Sequence, residues 1–332
     1  MGETAPHPRD SHELLGAERA EQSFLDAMAR GRLHHAWLIV GPVGVGKATF
    51  AYRAARRLLG AAPASAHGLL GASPDDPVSR LITARAHPDL LALQLDPEDG
   101  KSRKQIPVEE ARGLPEFFAK TPAIAPWRVA IVDTADDLNP HGANAVLKIL
   151  EEPPERGIIF LISHRPGALL PTIRSRCRML RLTAPDEGET AAWLHEKAGS
   201  GADEARRLSA MAGGAPGRAW RLAGLDALAA DEAAGDILAS LPSPDPAAML
   251  ALAEGFRGAE GAERFALLFE RLAERVHAMA AERALAGEGE GLEGWAEAYE
   301  TLIDLPRAAE GVNLDRADVF YTALARLAAQ PC

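Results

Sequence analysis

Apolar positions along the chain fall into two textures. Up to about residue 185, short unbroken apolar runs alternate with stretches of helical spacing. Beyond it the spacing is helical throughout and no strand-like run occurs. The first run, Ala36–Val40, predicts a buried strand, and 48–59 predicts a helix with Ala51, Ala54, Ala55 and Leu58 on one face. Further strands are predicted at 90–95, at 129–132 ending in Asp133, at 157–162 ending in Ser163, and at 179–182. Helices are predicted over 14–30, through Ala20, Phe24, Leu25 and Met28, and over 108–119, through Ala111, Leu114 and Phe118. Another covers 144–152 and is stopped by Pro153-Pro154.

Strands that are apolar throughout and separated by helices imply a parallel sheet covered on both faces. Residues 1–12 are polar and proline-bearing and are expected to form a disordered tail. Residues 60–90 read as an insertion anchored by Leu69, Leu70, Leu81 and Ile82, and charged 96–104 as a mobile loop. After Pro185, helices are predicted at 190–197, 202–212 and 218–225, with a glycine-rich turn at 213–217. From 230 the chain is helical to its end, with stripes at Phe265, Leu268, Phe269, Leu272 and Val276 and at Val319, Phe320, Ala323, Leu324 and Leu327. A glycine-rich loop is expected at 287–294.

The turn after the first strand carries the chemistry. Gly41-Pro42-Val43-Gly44-Val45-Gly46-Lys47 between strand and helix is the context of a phosphate-binding loop. Gly41, Gly44 and Gly46 let backbone N–H groups converge on a phosphate, the helix N-terminus adds partial positive charge, and Lys47 adds a full one. The hydroxyl that normally follows the lysine and holds magnesium is missing, because Ala48 stands there. Thr49 is one residue late, about 100° further round the helix, where its hydroxyl misses the metal. Asp133 at a strand end reads either as a helix cap or as a carboxylate that helps to hold magnesium; the loop upstream favours the second. His34 and His35 are adjacent and expected to point apart, a loop pair rather than co-ligands.

Composition narrows the class. The 332 residues suffice for two or three domains. A net charge of −11 argues against a protein that coats DNA by bulk basicity. Cys177 and Cys332, the two cysteines, are far apart and lack zinc spacing, which suits a reducing cytoplasm. The start has no apolar signal core and no run is long enough to span a membrane, so a cytoplasmic protein is expected.

Four stretches then stand in a telling order: 31–53 (GRLHHAWLIVGPVGVGKATFAYR), 127–138 (WRVAIVDTADDL), 144–154 (NAVLKILEEPP) and 169–177 (LLPTIRSRC). With them the chain resembles the clamp-loader subunits of the AAA+ class, the delta-prime group of bacterial DNA polymerase III above all. The first stretch is common to P-loop proteins; the last two together are specific. The resemblance covers about 13–225 strongly and is architectural beyond. It implies an AAA+ P-loop α/β domain over 13–185, a helical lid over 186–225 and a helical collar over 230–332 that oligomerises.

The resemblance also implies roles. Active members follow the strand-end Asp with a Glu that activates water; here Asp133 is followed by Thr134, which cannot accept that proton. Ser163 occupies the first sensor position, where a hydroxyl can contact a phosphate. The second-sensor arginine is replaced by Gly217, with Arg218 one residue late. Arg176, in an intact Ser-Arg-Cys, is the finger that reaches the ATP site of the adjacent subunit. A planar, permanent guanidinium suits a developing γ-phosphate charge. Cys177 reads as a packing residue. Many relatives carry a four-cysteine zinc module where 60–86 has none, so no zinc is expected, and His87 and Asp89 read as structural.

The expectation is therefore a subunit that binds ATP or ADP weakly through Gly41, Gly44, Gly46, Lys47, Thr49, Asp133 and Ser163, with no normal magnesium ligand. It would not turn over ATP usefully alone. It would brace a heteropentamer with delta and gamma/tau subunits, within a DNA-directed DNA polymerase assembly, that loads a sliding clamp on primed DNA. Two rivals are an active gamma/tau-like ATPase motor and a repair or recombination P-loop ATPase.

Overall fold

The computed structural model describes residues 5–95, 105–287, 291–312 and 314–329. Five strands form one parallel sheet: β1 (Ala36–Val40), β2 (Leu90–Gln94), β3 (Arg128–Asp133), β4 (Gly157–Ser163) and β5 (Arg178–Arg181), in the order β2-β3-β4-β1-β5. Alternation within each strand divides the core. Trp37 and Ile39, Val129 and Ile131, and Ile158, Phe160 and Ile162 face one side. Ala36, Leu38 and Val40, Ala130 and Val132, and Ile159 and Leu161 face the other.

Helices cover both faces. α1 (Glu18–Ala29) and α2 (Lys47–Leu58) bring Phe24, Phe50, Ala51, Ala54 and Leu58 to the first face. α3 (Pro77–Thr83) adds Ile82 beside Leu70, whereas the predicted anchor Leu69 is exposed. α4 (Val108–Ala119) and α5 (Pro140–Glu151) bring Leu114, Phe118, Val146, Ile149 and Leu150 to the second face. α5 starts four residues before the predicted 144. Asn139 accepts from the Gly142 N–H at 2.9 Å and Pro140 stands in the first turn, a cap that apolar spacing does not register. The short α6 (Pro171–Arg174) leads into β5.

Residues 5–12 differ from the expected tail. Arg53 donates to the His12 carbonyl, Arg56 to the Arg9 carbonyl, and His12 Nδ1 lies 3.1 Å from the Ala72 carbonyl. Two buried guanidiniums need acceptors, and this polar arm supplies backbone ones. Residues 1–4 of that tail and the loop predicted at 96–104 lie outside the described residues. His34 and His35 also differ: their rings stack with centroids 4.4 Å apart. No group of three His, Cys, Asp or Glu side chains able to hold a metal occurs among the described residues.

α7 (Glu187–Ala198), α8 (Ala202–Met211) and α9 (Pro216–Gly224) follow the sheet. The chain divides into two compact units at Leu222, within α9. The second unit holds α10 (Ala227–Ser240), α11 (Pro246–Glu254), α12 (Gly258–Leu285), α13 (Leu292–Val312) and α14 (Arg316–Ala328). Both predicted stripes are buried there, with Phe256, Phe265, Phe269 and Phe320 in edge or tilted contact. Of the glycine-rich stretch predicted as a loop at 287–294, residues 288–290 lie outside the described residues, and α13 begins within its last part, at Leu292. No helix among the described residues is long and apolar enough to cross a membrane.

Candidate nucleotide-binding site

Parallel β1, β3 and β4 bring the loop after Val40, Asp133 and Ser163 to the same, C-terminal edge of the sheet, with Val40 paired to Ser163. Gly41, Gly44 and Gly46 have φ of +154°, +77° and +95°, values that only glycine adopts without strain. The loop thus has the backbone of a phosphate cradle.

Its lysine is turned inward. Lys47 Nζ donates to the Gly41 carbonyl at 2.7 Å and to the Pro42 carbonyl at 2.5 Å. Burial pulls its pKa down to about 8, against the opposing attraction of Asp133 and Asp136. Asp133 is pushed up to about 6 by burial, with Lys47 pulling it down and Asp137 adding to the rise. Thr134 is occupied locally, its hydroxyl donating to Asp137 Oδ2 at 2.7 Å. Ser163 is fully buried and donates to Asp136 Oδ1 at 2.8 Å, while the His164 N–H donates to the other carboxylate oxygen at 2.6 Å. The Ser163 hydroxyl also accepts from the Arg165 N–H at 3.1 Å. Thr49 sits half-buried in the first turn of α2.

The first turn of α9 lies against the loop. The Gly217 N–H donates to the Gly44 carbonyl at 2.8 Å, and a Cβ on Gly44 would stand 2.3 Å from the Arg218 nitrogen. Arg218 thus reaches the loop through its backbone, a contact its sequence position alone does not reveal. The glycine geometry fits a phosphate group. The donor set lacks the hydroxyl that follows the lysine and holds a magnesium ion, because Ala48 stands there.

Arg176 is elsewhere. It follows α6 and precedes Arg178, which pairs with Trp37 at the start of β1. The loop begins after Val40, at the opposite end of that strand, about 13 Å of strand length away. Arg176 is half-exposed; it donates to the Thr172 carbonyl at 3.1 Å and lies 3.3 Å from Glu151 Oε1. Cys177 beside it packs against the second core face, and burial pushes its thiol up to about 12, an unreactive thiol.

Other polar groups are structural. Asp89, fully buried, accepts from the N–H groups of Ala123, Ile124 and Ala125 at 2.7, 2.9 and 3.0 Å, and Arg128 lies 3.5 Å away. Despite burial, these partners hold its carboxyl below the ordinary range. The His87 Nδ1 accepts from the Asp89 N–H. The sequence reading missed Glu21 and Arg53, a buried pair 2.7 Å apart joining α1 to α2. The signal available was a charge on each helix's apolar face.

The sequence profile of the family described as "DNA polymerase III, delta subunit" matches residues 16–186, more than half of the chain. The chain belongs to this family. DNA polymerase III subunit delta' of Pseudomonas aeruginosa is 37% identical over 196 residues, 59% of this chain and 57% of that protein. Its counterpart of the same name in Escherichia coli K12 is 34% identical over 222 residues, 67% and 64% of the two chains. A DNA polymerase III subunit gamma of Buchnera aphidicola is 31% identical over 175 residues, 53% and 45%. The chain spans about three-fifths of the length of the first two. A solved DNA polymerase III, gamma subunit-related protein of Thermotoga maritima superposes with a TM-score of 0.47 at 20% identity, over 94% of this chain and 99% of that one. The clamp-loader resemblance drawn from the four stretches and the family assignment agree.

Proposed function

We propose that the chain is a delta-prime-type clamp-loader subunit that does not split ATP by itself and lends Arg176 to the ATP site of an adjoining subunit. The observation that carries this reading is the position of Arg176 at the end of the sheet away from its own loop. A guanidinium there cannot serve the chain's own γ-phosphate, yet it is exposed enough to serve a neighbour's. The chain's own loop supports the other half. Lys47 is satisfied by loop carbonyls, Ala48 offers no hydroxyl, and Thr134 offers no base. The loop would bind ATP or ADP weakly, without a normal magnesium site.

The proposed partners are the delta and gamma/tau subunits of a heteropentamer and, through it, a sliding clamp and primed DNA. Co-purification with those subunits, followed by phosphate release with malachite green, tests the proposal. The isolated chain should release no phosphate above background, whereas the assembled complex should release it with or without Lys47→Ala in this chain. Magnesium-dependent release by the isolated chain, abolished by Lys47→Ala, would overturn it.

A further inference from the structure

The two edges of the sheet are guarded differently. β5 carries Arg178 and Arg181, charges that discourage a further strand. β2, at the other edge, reads Leu-Leu-Ala-Leu-Gln and carries neither charge nor proline. The Val129 N–H donates to the Asp89 carbonyl, and Leu90 pairs with Val129. That register turns the backbone groups of Leu91 and Leu93 toward β3 and those of Leu90 and Ala92 away from it. The Leu90 carbonyl and both backbone groups of exposed Ala92 have no partner among the described residues.

A cleft of about 380 Å³ runs beside this edge, lined by Arg9, Tyr52, Arg85, His87 and Glu110 together with β2. The charges of Arg9 and Arg85 both reach the Tyr52 phenol, which burial and Asp133 nevertheless keep protonated, pushed up to about 12. Burial holds the His87 ring neutral. Its Nδ1 accepts from the Asp89 N–H at 3.2 Å, so the ring carries its proton on Nε2. That buried Nε2–H finds no acceptor among the described residues.

We propose that the β2 edge accepts, as a sixth strand, an extended acidic segment of a partner protein. Main-chain bonds to Leu90 and Ala92 would supply affinity, and alternate side chains specificity. Leu90 packs with the core face of Tyr52 and Ile82, and Leu91 and Leu93 with the other, so an added strand alternates across the same two faces. Carboxylates on the first face would meet Arg9 and offer the acceptor that His87 lacks. Arg9 lies 3.8 Å from Asp10, a pairing loose enough to admit a closer carboxylate. Apolar side chains on the second face would lie along Leu91, on the side of α4. A second copy of the chain fits less well, because it would bring its own Arg9 and Arg85 against these. The surface lies across the sheet from β5 and does not rest on the finger assignment.

The probe is a labelled octapeptide alternating glutamate and valine, titrated with the full chain and followed by fluorescence anisotropy. Amide hydrogen exchange over residues 88–95 is read in parallel. The peptide should bind and slow exchange there. Ala92→Pro removes the outward N–H while sparing the ladder to β3, and should weaken binding about tenfold with melting near that of the parent. N-methylated peptides make the same test on the unaltered chain. Methylation at the glutamates should abolish binding if the added strand is antiparallel, and methylation at the valines if it is parallel. Arg9→Gln should weaken binding about fivefold, and an octapeptide of lysine and valine should bind about tenfold more weakly than the glutamate one. Four results would overturn the proposal: no binding of the glutamate peptide, equal binding of the glutamate and lysine peptides, full affinity of both methylated peptides, or dimers of the chain that Ala92→Pro dissociates.

Discussion

At Asp133 the fold works against the ionised side chain. Its carboxyl rises from 3.8 to about 6 through burial, which corresponds to roughly 3 kcal/mol between the two protonation states. A carboxyl raised on folding contributes stability that is complete below about pH 4 and is lost as pH rises through about 6. Asp133→Asn should therefore match the parent in acid and exceed it by about 1–2 kcal/mol above pH 7, part of the gain being offset by lost attraction to Lys47. Chemical denaturation across that range checks it, and a difference independent of pH would contradict it. Ala48 and Thr134, the missing hydroxyl and the missing base, were legible in the sequence because each is an absence at a fixed spacing. The inward turn of Lys47 and the bond from Ser163 to Asp136 were not, since both depend on where loops from separate strands converge.

Between elements, the pair Glu21–Arg53 fastens α1 to α2 and, through carbonyls of His12 and His67, holds the arm and the segment after α2. Removing one member leaves a buried charge without its partner. Glu21→Leu should cost about 3–5 kcal/mol by urea denaturation and expose residues 5–12 to protease, whereas adding Arg53→Met should recover much of the loss. A cost near zero for the single change would deny the pair this role. Helical periodicity located α1, α2 and α4 because their apolar faces are wide. It misread the arm as a tail, because a polar segment held by buried arginines has no pattern of its own. The contact of α9 with the loop gives a second prediction at this scale. Gly44→Ala places a Cβ 2.3 Å from the Arg218 nitrogen at a φ of +77°, so it should destabilise the first unit by about 1–3 kcal/mol. A variant as stable as the parent would show that α9 yields without cost.

For the molecule as a whole, the alternation of apolar runs with helices was sufficient to anticipate a parallel sheet, because strands buried on both faces read as unbroken apolar sequence. Strand order was not legible: nothing in the residues 178–181 announces that they pair with β1 on the side away from β4. That pairing separates Arg176 from its own loop, and on it rests the proposal that Arg176 completes a site in a neighbouring subunit. Single-turnover ATP hydrolysis in the reconstituted assembly, with Arg176→Ala in this chain alone, is the decisive measurement. Assembly should survive, and hydrolysis at the site facing Arg176 should fall by about 10³-fold or more, with Arg176→Lys restoring little. An unchanged rate at every site of an intact assembly would contradict the claim.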